Sequence, residues 1–125
     1  MNQFFNLTTI ICLLLLTACT LTDVPVTELV DRQGLKYRVN SETPFTGSSV
    51  DYYDNGQVEF KINYKDGKQD GLLESYYKNG QLESKVSYKD GRQDGLSESY
   101  DEHGQLEEKL CFKSNKTIDM SYCER

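Results

Sequence analysis

YYKNGQLESKVSYKDGRQDGLSES, residues 76–99, has a near-copy on each side of it. The copy before, YYDNGQVEFKINYKDGKQDGLLES at 52–75, keeps Tyr, Asn-Gly-Gln, Glu, Lys, Tyr-Lys-Asp-Gly, Gln-Asp-Gly-Leu, Glu and Ser in register. The copy after, 100–125, holds Tyr100, Gly104, Gln105, Leu106, Glu107, Lys109 and Phe112, then places Asn115 and Asp119 where glycines stood. A fixed 24-residue period marks stacked supersecondary units, each needing its neighbours to bury a shared face.

Within the unit, Asn79-Gly80 sits between segments rich in Tyr, Leu and Val, the pattern of a β-hairpin closed by a type I′ turn with two left-handed residues. Asn55-Gly56 repeats it, and His103-Gly104 does so with a histidine, a residue type that tolerates the left-handed region. A second series, Asp66-Gly67 and Asp90-Gly91, alternates with the first, so each unit is two similar halves. The expected fold is all-β: a single-layer antiparallel meander of stacked 24-residue hairpin repeats, its turns marked by Gly56, Gly67, Gly80, Gly91 and Gly104.

A two-residue loop at Asn79-Gly80 predicts Tyr77 opposite Leu82, Ser75 opposite Ser84 and Leu73 opposite Val86. The other face then sets Glu74 against Lys85, and one unit later Glu98 against Lys109, opposite charges directly across the strands. Alternation of Leu82, Val86 and Tyr88 with Gln81, Glu83, Lys85 and Ser87 predicts one buried or half-buried face and one solvated face.

At the start of the chain, Met1–Ala18 has no charged side chain, an apolar run from Ile10 to Leu16, and the ending Leu16-Thr17-Ala18-Cys19. This resembles a lipoprotein signal peptide, in which Cys19 is acylated and becomes the new amino terminus. The run is too short to span a bilayer as a helix. The expected organisation is a leader at 1–18, lipidated Cys19 with a tether to 27, a leading hairpin or cap at 28–51, and repeats over 52–125, divided as 52–75, 76–99 and a degenerate 100–125. That places the protein in the cell envelope, facing periplasm or exterior, with Thr20 after the cysteine fitting outer-membrane sorting in a Gram-negative cell. The net charge of -6 argues against nucleic acid and against adsorption to anionic lipid by charge, both of which need basic patches.

Pro44-Phe45-Thr46-Gly47, Tyr52–Gln57 and Tyr64–Lys68, with Tyr76–Gln81 and Tyr88–Leu96 in the next unit, resemble the MORN-repeat-variant family of bacterial proteins, many of them labelled YwqK-type antitoxins. The resemblance covers about Gly34 to Phe112 and implies an elongated sheet used as a binding scaffold, without catalytic residues or cofactor. It also brings a toxin into view as a protein partner. Leu73 and Ser97 stand where the family often has tryptophan.

Catalysis needs a nucleophile, a base and an orienting group converging in a pocket, which one turn histidine does not supply. Asp66–Gly71 imitates the start of a calcium loop, but Lys68 and Tyr77 fall where oxygen ligands belong. The tyrosines are more telling: Tyr52, Tyr76 and Tyr100 recur on one face, Tyr53 and Tyr77 on the other. Two readings fit, an aromatic ladder between strands or a binding strip for a protein or a glycan. Cys111 and Cys123, in an exported chain, are either a disulfide closing the last hairpin in place of a missing Asp-Gly turn, or two independent thiols. The expected function is a membrane-anchored, non-catalytic protein-binding module, antitoxin-like or immunity-like; the alternative is a glycan-binding or structural envelope lipoprotein.

Overall fold

The computed structural model describes residues 23–125; the leader expected at 1–18 and the expected lipidation site Cys19 lie outside them. Eight strands form one sheet in the order β1 (Val24–Pro25), β4 (Gly47–Tyr52), β5 (Val58–Lys65), β6 (Lys68–Tyr76), β7 (Leu82–Lys89), β8 (Arg92–Tyr100), β9 (Leu106–Lys113) and β10 (Lys116–Ile118). From β4 to β10 it is the expected antiparallel meander, and β1 departs from it by pairing with β4 in parallel, Val24 beside Ser49. A separate hairpin of β2 (Leu29–Arg32) and β3 (Leu35–Arg38) follows a short 3₁₀ turn at Val26–Glu28.

The few fully apolar contacts gather at the N-terminal end. Val24, Phe45 and Tyr64 form a buried cluster with Leu29 and Ile62 against it, and the Phe45 and Tyr64 rings lie 5.9 Å apart. The β2–β3 hairpin docks on the turn between β5 and β6, where the Lys36 N–H donates to the Gly67 carbonyl at 2.8 Å. A Cβ on Gly67 would come within 2.9 Å of Leu35 Cβ, so the close approach requires glycine there. Farther along, burial is shared. Seven of the eight β7 residues are half-buried whichever way they point, so the predicted division into a buried and a solvated face does not hold. With no second layer over most of the sheet among the described residues, alternation sorts residues by chemistry and not by exposure.

The two turn series differ. Asp66-Gly67 and Asp90-Gly91 have both residues left-handed, with φ of 50° and 81°, then 49° and 79°, which makes them type I′. At the Asn-Gly series only the glycine is left-handed: Gly80 has φ 85°, while Asn79, Asn55 and His103 do not have positive φ. The Gly80 N–H donates to the Tyr77 carbonyl and the Tyr77 N–H to the Gln81 carbonyl, giving a three-residue loop of type I followed by a left-handed glycine. Tyr77 therefore does not face Leu82; Tyr76 does. One unpaired residue, Glu83, then restores the register, and Ser75–Ser84, Glu74–Lys85 and Leu73–Val86 pair as predicted. Glu59 and Glu107 are the corresponding extra residues in β5 and β9. The last hairpin also differs from expectation, because its turn is present: Ser114 and Asn115 take φ of 47° and 68° and do the work of Asp-Gly.

Candidate binding surfaces

Across the middle of one face, Lys61, Glu74, Lys85, Glu98 and Lys109 are successive cross-strand partners on β5 to β9. Glu98, with a side chain only 13% exposed, lies 3.1 Å from the Lys85 ammonium and 3.9 Å from that of Lys109, and accepts a hydrogen bond from the Tyr100 hydroxyl. The Lys85 hydrogen bond holds the Glu98 carboxyl below the usual range, and Glu98 in turn raises Lys85. At the near end of the row Lys61 reaches Asp23 at 3.0 Å, which ties β1 into the ladder.

Beside this ladder on the same face runs a row of aromatic and aliphatic pairs, Tyr52 with Val58, Tyr76 with Leu82 and Tyr100 with Leu106. Its ends are open, Tyr52 at 52% and Leu106 at 53% exposure, and Tyr76 and Tyr100 are half-buried. Repeat geometry spaces the three tyrosines by two strands, about 10 Å. Burial, with Glu74 nearby, raises the Tyr76 phenol, whereas for Tyr100 the hydrogen bond to Glu98 leads.

Tyr53 and Tyr77 serve differently. The Tyr53 hydroxyl donates to the Tyr76 carbonyl at 2.7 Å and the Tyr77 hydroxyl to the Tyr100 carbonyl at 2.9 Å, each crossing to the corresponding hairpin of the next unit. Asn55 and Asn79 do likewise, their amides donating to the carbonyls of Lys78 and Glu102 while their side-chain oxygens accept from the N–H two residues on. His103, in the third unit, leaves that task to Asp101, whose carboxylate accepts from the His103 and Gln105 N–H groups. Cys111 and Cys123 are joined in a disulfide with Cα atoms 6.0 Å apart.

At the opposite strand ends lies a groove that reading the sequence missed. Its walls are Lys68, Lys89, Arg92 and Lys113, with Asp90 and Asp94 among them. The signal was present as a cation on each side of the Asp66-Gly67, Asp90-Gly91 and Ser114-Asn115 turns, but net composition obscured it.

The profile of the MORN repeat variant family matches residues 45–66, 69–90 and 93–114. Each match spans one hairpin with an Asn-Gly or His-Gly loop at its centre: β4–β5, β6–β7 and β8–β9. Neither the curated proteins nor the solved structures give a match to the chain.

Proposed function

Because this chain belongs to the MORN-repeat-variant family, whose repeats are binding modules, we propose that it is a lipoprotein held in the cell envelope through Cys19 that binds a protein partner stoichiometrically on the Tyr52–Tyr76–Tyr100 face. The observation that carries this reading is the row Tyr52/Val58, Tyr76/Leu82, Tyr100/Leu106, which is amphipathic, evenly spaced, and, among the described residues, uncovered by a second layer. Aromatic side chains with one polar atom suit an interface that is apolar in its body and wet at its edge. The ladder of Lys61 to Lys109 beside it fixes the row in a rigid sheet, so little ordering entropy is lost on binding. Neutralisation of a toxin at the envelope, as an immunity protein would do, is the form of this activity that the family resemblance suggests.

The test is crosslinking in cells of the natively produced protein, with Tyr76→Ala/Tyr100→Ala and Cys19→Ala beside it. One protein crosslinked in fixed ratio, lost in the tyrosine variant and released from membranes with Cys19→Ala, is the expected result. Capture of peptidoglycan fragments alone would replace the protein partner by a glycan, and detergent-phase partitioning of Cys19→Ala would remove the anchor.

A further inference from the structure

Cross-strand pairing sorts charge onto one face of the sheet. Next to the charged row from Lys61 to Lys109, and pointing the other way, is the row Ile62, Leu73, Val86, Ser97 and Leu110. Tyr88 and Phe112 extend that second face toward the type I′ turns, and Ser75, Ser84 and Ser99 extend it toward the Asn-Gly loops. Among the described residues, the cross-strand partners of β6 to β9 on this face carry one charge, that of Glu108, which is exposed at the loop-end corner. Glu83, the bulge residue, belongs to the same margin. The serines do not keep the face wet: Ser75 Oγ and Ser84 Oγ bond each other at 2.7 Å, and Ser75 is only 5% exposed.

At the N-terminal end the chain supplies its own second layer here. Val24, Leu29 and Phe45 pack with Tyr64 and Ile62 of β5, and Tyr64 is 7% exposed. Tyr88 and Phe112 hold the equivalent place one and two units on, and with no such segment over them among the described residues they are half-buried. The open seat is therefore β6 to β9. We propose that a second copy of the chain fills it, the two sheets packing face to face about a two-fold axis that runs along the strands between β7 and β8. That operator sets Val86 over the partner's Ser97, Leu73 over the partner's Leu110 and Tyr88 over the partner's Gln93, because each pair already shares a row of the sheet. At the centre a large side chain thus meets a small one, which makes the face complementary to itself. β10, which comes to lie beside the partner's N-terminal layer, has only three residues and leaves it room. Four strands of eight or nine residues cover roughly 500 Å², so two copies bury on the order of 1,000 Å², the size a specific interface needs. The charged ladder and the Tyr52–Tyr76–Tyr100 row stay outward on both copies, so the pairing does not depend on the binding role given to that row.

The test is sedimentation equilibrium of the purified full chain over a range of micromolar concentrations, in density-matched detergent where it carries acyl chains. A concentration-dependent dimer is expected, and Cys19→Ala should dimerise equally. Leu110→Lys should weaken the dimer about a hundredfold or more, since each buried charge counts twice across a two-fold, while the diluted chains melt as the parent does. Tyr76→Ala/Tyr100→Ala should leave it unchanged. Ser97→Phe should pair with itself about tenfold more weakly or worse, because Val86 of each copy meets the added ring. Mixed with Val86→Ala chains it should pair again, as neither contact in the mixed dimer is overfilled. A monomer at every concentration would overturn the proposal, and so would a dimer that survives Leu110→Lys, which places the contact on another surface. A dimer lost in Cys19→Ala would assign it to the acyl chains, and one lost in the tyrosine variant would assign it to the opposite face. Failure of the Ser97→Phe and Val86→Ala chains to pair, with both folded, would remove the two-fold arrangement.

Discussion

The hydroxyl of Tyr77 donates to the backbone carbonyl of Tyr100, 23 residues farther along, at 2.9 Å. Tyr53 makes the same bond to Tyr76, so the conserved spacing of the repeat is turned into a bond between neighbouring units. Tyr77→Phe keeps the ring and removes only this bond, leaving a partly buried carbonyl without its donor. It should cost about 1 kcal/mol in urea unfolding, and Tyr53→Phe the same. An unchanged midpoint for both would mean that the carbonyls are satisfied by water and that the hydroxyls tie nothing.

Asn79 offers a sharper test of turn chemistry. In a type I′ turn it would be left-handed and glycine would serve equally well; here its φ is not positive, and its side chain accepts from Gln81 N–H at 2.9 Å and donates to the Glu102 carbonyl at 3.1 Å. Asn79→Gly should therefore destabilise by about 1 kcal/mol, through lost hydrogen bonds and a looser unfolded chain. Gly80→Val should cost about as much or more, because φ is 85° and a Cβ would stand 3.1 Å from Gln57 Oε1. Thermal melting of the two variants checks both, and a neutral Asn79→Gly would return the loop to type I′.

That turn also marks how far the sequence could be read. The period, the meander and the Glu74–Lys85 and Leu73–Val86 partners were legible because side-chain alternation constrains the strands on either side of a loop. The loop itself was not, because one extra residue in the turn and the unpaired Glu83 cancel beyond Ser84, and both arrangements give the same register in the middle of the sheet. Gln33-Gly34 and Ser114-Asn115 show the same limit from the other direction: they are left-handed turns without the Asp-Gly spelling. Of the binding surface, the Tyr52, Tyr76 and Tyr100 row could be seen in the repeat. That Tyr53 and Tyr77 spend their hydroxyls on the next unit could not, since it depends on strand stacking and not on spacing. The cation-closed turns were in view as letters, but only pairing places Lys89 against Arg92.

Glu98 should make the sheet sensitive to acid. Its folded-state carboxyl lies below the ordinary range because Lys85 donates to it, so its contribution is complete above the unfolded glutamate value, about 4.3, and is lost as pH falls through the lower folded value. Since Lys85 and Lys109 are partly in water, the contribution is modest, about 0.5–1 kcal/mol. Glu98→Gln should lower the melting temperature near neutral pH and bring the variant and parent together at pH values well below 4. Parallel curves over the whole range would show that the ladder does not stabilise the sheet.

The disulfide carries the last edge. Cys111 is fully buried in β9 opposite Leu96 and Ile118, while Cys123 follows a 3₁₀ turn at Met120–Tyr122 that folds the end of the chain back toward it. β10 has only three residues and one neighbour, so without the crosslink it has little to hold it against fraying. A bond between residues 12 apart restricts the unfolded chain by about 2–3 kcal/mol. Cys123→Ser should lose about that much, with the loss localised: amides of β10 and the outer side of β9 should exchange faster, while β5 and β6, on the far side of β7 and β8, keep their protection. Uniformly faster exchange would instead mean that the sheet unfolds as one unit and that the crosslink stabilises all of it.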